Sequence, residues 1–225
     1  MNLTLKPEFG LSGSALKIIA MISMVIDHVA LYLMEQGTLL YETMRCIGRI
    51  AFPVFAFLIA EGFIHTRNRY RYFFTLLGFA VISEIPWYLL TGADGTHNVM
   101  FTLALGVATL MVLENLLQRS LVLGFFWTLG MAGVASWLGV DYEWRGIIVI
   151  VFFYLFNGYG HSLPYSRGMQ FFCTFVLMIH YGIIGAIMAC MILYLYNGER
   201  GFVQGSIAKY GFYAFYPVHL SILVY

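Results

Sequence analysis

The sequence predicts an all-α polytopic membrane protein of about nine transmembrane helices (eight or nine), with its N-terminus in the cytoplasm. Three observations predict it. Of 225 residues, 61% are hydrophobic and 10% are charged, against about 25% charged in soluble domains. The apolar stretches are continuous and rich in Leu, Ile, Met, Phe and Ala, not the alternating short strands of a membrane barrel. Basic residues also alternate with acidic ones from one inter-span loop to the next.

The elements follow from the breakers between apolar runs. The first span is read at 14–34. It contains Asp27 and His28 and has no small-x-small cleavage site before the next span, so it reads as a retained helix and not a signal peptide. Gly37 separates it from a span at 44–64. The segment from His65 to Arg71 precedes a span at 71–91, and the segment from Thr91 to His97 precedes one at 98–118. Spans at 121–138 and 144–156 follow, then a loop holding Asn157, His161 and Pro164. The stretch 168–197 reads either as two short helices meeting near His180 to Gly182 or as one long tilted helix. The last span is read at 207–225. No repeat or composition shift divides the chain, so 1–225 is taken as a single domain.

Orientation follows from Lys6 and Lys17, then Arg67, Arg69 and Arg71, then Arg119, Arg167, Arg200 and Lys209, all of which fall on one side. The opposite loops hold Glu35, Glu42, Asp94, Asp141 and Glu143, with Arg145 the basic exception. This puts the chain in a bilayer, in contact with membrane lipids, with its N-terminus on the cytoplasmic side. A net charge of +1 and the lack of a basic face argue against nucleic acid. Cys46, Cys173 and Cys190 read as small core residues, and without HExxH or CxxC spacing no metal is expected.

An ionisable group inside the bilayer costs at least about 2.5–3.5 kcal/mol, so each one calls for a partner or a function. Asp27, His28, Arg45, Arg49 and Glu84 fall at a similar depth toward the outside, and Glu61 lies near the inner end of the second span. Arg45 and Arg49 are spaced i, i+4 and share a helix face. Glu84 and Asp27 are their internal partners in one reading, a paired network that orients three helices. In the other reading the same layer is a working site. Lys17 and His28 lie eleven residues apart, almost three whole turns, hence on one face and about 16 Å apart along the axis. A cation at the mouth and a titratable imidazole at depth suit a long anionic cofactor, and Arg67, Arg69 and Arg71 would add to its phosphate-binding mouth. Pro86 in the third span and Pro217 in the last are expected to kink their helices, and membranes tolerate such breaks where backbone lines a cavity. Tyr216 and His219 flank Pro217, and Asn98 starts its helix near the depth of the polar layer, so these three are taken as substrate contacts.

Several short motifs also look familiar together. Leu16-Lys17 followed by Met24 to His28 resembles the opening of the TraX family. Gly48 to Phe55, Glu61 to Phe63, Ser83 to Pro86, Phe101 to Leu103 and Phe215 to Leu220 continue the likeness in order over nearly the whole chain. That family is named for an inner-membrane protein of conjugative plasmids that N-acetylates pilin. A more distant resemblance is to the acyltransferase-3 membrane enzymes, in which a basic residue stands the same distance before a His of the first helix. Lys17 replaces the usual Arg there, which loses bidentate phosphate binding.

These resemblances imply an acyl-CoA-dependent acyltransferase, with acetyl-CoA as donor and an amine or hydroxyl acceptor on pilin or a surface glycan. They imply His28 as base or transient acyl carrier, oriented by Asp27, with Arg45, Arg49 and Glu84 around the reaction centre. Lys17, Arg69, Arg71 and Glu61 would lie at the donor mouth. From the residues alone, a proton-coupled small-molecule transporter or flippase relaying protons through Asp27, His28 and Glu84 remains the alternative. A non-catalytic scaffold is the third reading.

Overall fold

The computed structural model describes residues 10–92, 94–159, 166–203 and 205–224. Lys6, His161, Pro164 and the Arg167 side chain, used above for loops and orientation, lie outside what it describes. The described residues are helical, with two isolated backbone bridges, Leu11 to Tyr196 and His97 to Val140.

Helix α1 (Gly13–Leu33) starts where Ser12 Oγ accepts from the Ala15 amide at 3.3 Å. Two shorter helices follow, α2 (Leu39–Gly48) and α3 (Ala51–His65). The expected single span 44–64 is therefore longer and broken at Arg49-Ile50. The cause is Pro53, which has no amide hydrogen and whose ring would meet the Arg49 carbonyl four residues back in a continuous helix. Helix α4 (Arg69–Thr91) is capped by Asn68 Oδ1 on the Arg71 amide at 2.8 Å, and stops at Gly92, whose φ of +66° is left-handed. It remains helical through Pro86.

Helices α5 (Val99–Arg119), α6 (Leu121–Trp137) and α7 (Glu143–Tyr154) follow. The chain continues beyond α7 as a π-helical segment, Leu155–Tyr159, where a loop is expected from Asn157 on. The ambiguous stretch resolves into α8 (Ser166–Met178) and α9 (Ile183–Tyr194), joined by a 3-10 turn at Ile179–Tyr181 and by Gly182 at φ +134°. Helix α10 (Ser206–Val224) closes the fold and, like α4, carries its proline inside.

Helix α3 is the centre of the bundle. Phe52, Val54, Ala56, Phe57, Ala60 and Phe63 are buried in it, and α1, α5, α7 and α9 pack around it. Packing is close where glycine faces a side chain: Gly106 lies against Ile150, and Gly185 against the Arg49 stem. Helix α4 lies between α5 and α10, and α6 rests on α5 and α7.

Outward faces carry large apolar side chains, among them Phe74, Ile85, Leu121, Phe126 and Ile222. A chain this apolar with so many large apolar side chains turned outward is a membrane protein. Four stretches are long and apolar enough to cross a bilayer: Gly13–Leu33, Leu39–His65, Arg69–Thr91 and Val99–Leu117.

The start of α1 is stapled to the α9–α10 connection. Leu11 donates to Leu195 O at 2.7 Å, Gly13 to Glu199 O at 2.7 Å and Ser14 to Arg200 O at 3.0 Å. This brings one end of α10 beside the start of α1, and α10 then runs along α4. The His28 level of α1 thereby faces the Tyr216–His219 turn of α10.

Candidate active site

Asp27 and His28 are adjacent on α1 and face different neighbours. Asp27 points to α2, where Arg45 Nη1 donates to its Oδ2 at 2.5 Å. Its other oxygen, Oδ1, is buried without a hydrogen bond. The pair sits so close to the α2 backbone that a Cβ on Gly48 would overlap the Asp27 carboxylate. Glycine is what permits this approach.

His28 points to α10. Its Nδ1 lies 2.8 Å from His219 Nε2, and the two rings stack with centroids 5.0 Å apart. His219 Nδ1 lies 3.0 Å from Phe215 O, a carbonyl that only accepts, so that nitrogen carries the hydrogen. A neutral His219 then offers its Nε2 lone pair, which makes His28 Nδ1 the donor. By this network His28 Nε2 is the nitrogen left with a lone pair. The relay Phe215 O, His219, His28 fixes the tautomer of His28. Tyr32 and Tyr216 meet the His28 ring edge-on, at 6.0 and 6.5 Å between centroids.

Arg49 behaves differently from Arg45. It ends α2 at the break, its guanidinium lies 5.8 Å from the Tyr181 ring, and among the described residues it has no ion-pair partner. Glu84 was expected to hold an Arg. Instead it accepts from Asn98 Nδ2 at 2.6 Å and pairs with His97 Nδ1 at 2.5 Å. Asn98 is fully buried. Its Nδ2 also donates to Ala80 O at 2.9 Å, and its Oδ1 caps α5 at the Met100 amide, 3.1 Å away. Its amide is thus spent on joining α4 to α5. Tyr216 is buried against His28, and its hydroxyl makes no well-formed hydrogen bond, although the Val99 amide is near.

The residues expected at a donor mouth divide into separate sets. Lys17 lies 5.5 Å from the Phe212 ring, with Arg200 and Lys209 as electrostatic neighbours. Three cations together favour an anion at this level. Arg69 is bonded through both terminal nitrogens to Glu114 and lies 4.6 Å from the Phe63 ring, so its charge is matched. Arg71 is exposed and donates to the Tyr210 hydroxyl at 3.1 Å. Glu61 accepts from the Tyr196 hydroxyl at 3.1 Å and from Asn157 Nδ2 at 3.3 Å, and His65 lies 3.8 Å away. That cluster ties α3 to the π-helical segment and α9.

Sequence reasoning placed Asp141 among loop charges, but the structure brings it into the polar layer of Asp27, Arg45 and Arg49. Its main chain is clamped: Asp141 N donates to His97 O at 2.9 Å, His97 N to Gly139 O at 2.9 Å, and the Thr102 hydroxyl donates to Asp141 O. Tyr142 and Glu143 follow at φ +64° and +44°, left-handed values that non-glycine residues rarely hold. The Tyr142 ring stacks on Phe52 at 3.6 Å and tilts against Tyr181 at 4.9 Å. Burial pushes the Asp141 carboxyl up to about 7, against the Tyr142 amide and the Arg49 charge, which pull it down. His97, read as a loop residue, is the other missed member. Its pairing with Glu84 depends on the α4–α5 turn, which periodicity does not describe.

The family model that matches is that of the TraX protein, and it covers residues 12–225, the polar layer and both stretches that meet at His28 and His219 included. The chain belongs to the TraX family. It is 32% identical, over an alignment of 235 positions, to a probable fimbrial assembly protein FimC, serogroup H1, of Dichelobacter nodosus, with 94% of each chain covered. It is 29% identical over 167 positions to an uncharacterized protein of Rickettsia prowazekii (strain Madrid E), covering 73% of this chain and 62% of that one. No solved structure matches.

Proposed function

We propose that this TraX-family chain is a multi-pass acetyltransferase of the bacterial inner membrane. It would cross eight or nine times with its N-terminus inside, taking acetyl from cytoplasmic acetyl-CoA to an amine or hydroxyl acceptor. The observation that carries this reading is the His28–His219–Phe215 relay, which leaves a fixed lone pair on His28 Nε2 inside an apolar bundle. The family name and the fimbrial relative favour a pilus-related acceptor, the pilin N-terminus first and a surface glycan second.

In this mechanism His28 Nε2 takes the proton from the acceptor N–H or O–H as that nitrogen or oxygen bonds to the acetyl carbonyl carbon. Arg49, which has no ion-pair partner within 4 Å among the described residues, stabilises the oxyanion so formed. The carbon–sulfur bond then breaks, and His28 returns the proton to the departing thiolate. His219 holds the His28 ring throughout. Asp27 and Arg45 fix α1 against α2, so that the imidazole and Arg49 keep their distance. At the other end of α1, Lys17, Arg200 and Lys209 receive the donor's phosphates, while Arg69 is occupied by Glu114.

The donor assignment has a direct test. Acetyl-CoA is expected to raise the thermal midpoint of the purified protein in detergent by several degrees, and Lys17→Glu to remove most of that rise. A wild-type midpoint that does not respond to millimolar acetyl-CoA would contradict it.

A further inference from the structure

We infer that Asp141 is the acceptor-binding carboxylate of this site and that the group it holds is a primary ammonium. The inference rests on the acetyltransferase reading for the chemistry that follows binding, but the binding itself stands on the geometry of the outer layer. Asp27 pairs with Arg45 through Oδ2, while its Oδ1 is buried without a hydrogen bond. The Arg49 guanidinium and the Asp141 carboxylate have no ion-pair partner within 4 Å among the described residues, and each is an electrostatic neighbour of the other. Asp141 Oδ1 accepts from the Tyr142 amide at 3.0 Å, and among the described residues no hydrogen bond reaches Oδ2.

The side chain is held with more effort than a solvated loop carboxylate would need. Clamps on its amide and carbonyl and two consecutive left-handed residues fix where it points. Tyr32 and Tyr216, the two rings that meet His28 edge-on, are both electrostatic neighbours of Asp141. The buried Tyr216 hydroxyl, itself without a well-formed hydrogen bond, offers a second polar contact for a ligand at this level. A carboxylate and a base flanking the same tyrosines, with an open guanidinium nearby, match an ammonium at Asp141 and a developing oxyanion at Arg49.

The role resolves a proton count. An α-amine reaches the site mostly as R–NH3+, since its pKa is about 7.7–8.0, and that form has no lone pair. Asp141 Oδ2 binds it and takes the first proton, leaving R–NH2. The amine nitrogen then bonds to the acetyl carbon, His28 Nε2 takes the second proton and hands it to the leaving thiolate, and Asp141 releases the first proton to the outer aqueous side. The products are the amide, the thiol and one proton, so atoms and charge balance.

The experiment is equilibrium binding of an apolar hexapeptide to the purified full chain in detergent, once with a free α-amine and once N-acetylated. Wild type is expected to bind the free amine at least tenfold more tightly than the acetylated peptide. Asp141→Asn, which keeps the acceptor for the Tyr142 amide, should bind both equally, with thermal unfolding confirming that it is folded. His28→Ala should keep the wild-type preference. Asp141→Glu, still anionic, should keep part of it. A wild-type protein without the preference, or Asp141→Asn with it, overturns the assignment. If the preference is present but acetyl-CoA delivers no label to the free amine, the acetyltransferase reading fails while Asp141 stands as an amine-binding residue.

Discussion

His28 and His219 are 191 residues apart and meet only because α1 is stapled to the chain just ahead of α10. The proposed mechanism gives each a different task. His28→Ala removes the base and should lower transfer by about 10²-fold or more, the usual contribution of a positioned acid–base group. His219→Ala leaves that base with an unfixed tautomer and should cost less, with the thermal midpoint near wild type; steady-state transfer beside thermal unfolding distinguishes the two.

Asp141 gives a pH signature. Its carboxyl goes from 3.8 in the unfolded chain up to about 7 in the fold. A raised carboxyl supplies stability that is complete below 3.8 and lost as pH rises through 7. Asp141→Asn should therefore melt higher than wild type at pH 8, with the difference gone by pH 4, as followed by thermal unfolding across that range. Asp27, His28 and Arg45 were legible in the sequence because charge inside an apolar run stands out. Asp141 was not, because a carboxylate between two spans looks like any loop charge until a left-handed turn folds it inward.

Helices α2 and α3 show what an element boundary does for a site. A continuous span over 44–64 would keep Arg45 and Arg49 side by side, as their i, i+4 spacing suggests. The break that Pro53 imposes falls after both, Arg49 N still donating to Arg45 O at 3.2 Å; Arg45 reaches Asp27, while Arg49 stands at the helix end against Tyr181. The proline was visible in the sequence, but its effect reaches four residues back, to end α2 at Arg49.

Glycine at 48 belongs to the same arrangement. Gly48→Ala would force the Asp27 carboxylate away from α2, and overpacking of this kind costs about 1–3 kcal/mol. The expected result is a lowered thermal midpoint together with reduced transfer, whereas Gly133→Ala, where an added Cβ meets nothing within 4 Å, should change neither. The stretch 168–197 shows a different limit. Its length suits one tilted helix or two short ones, and only Gly182, at φ +134°, decides for two.

At the scale of the molecule, composition alone carried the class: an apolar chain with little charge becomes a helical membrane bundle, and the outward faces bear this out. The number of crossings is harder to read, because α6 and α9 are shorter than the four clear spans. The orientation proposed from the basic loops can be checked with single cysteines in a chain whose Cys46, Cys173 and Cys190 are changed to Ala. Asp94→Cys in intact cells should react with a membrane-impermeant maleimide, and Arg67→Cys should react only after the membrane is opened. The reverse pattern would put the N-terminus outside.

The central claim is that His28 performs acetyl transfer. Its most direct measurement uses membranes from the producing bacterium, which hold the native acceptor, incubated with radiolabelled acetyl-CoA. Membranes with the wild-type chain should incorporate label into protein or surface glycan at least about a hundredfold faster than membranes with equal amounts of folded His28→Ala. Equal incorporation by the two would contradict the account.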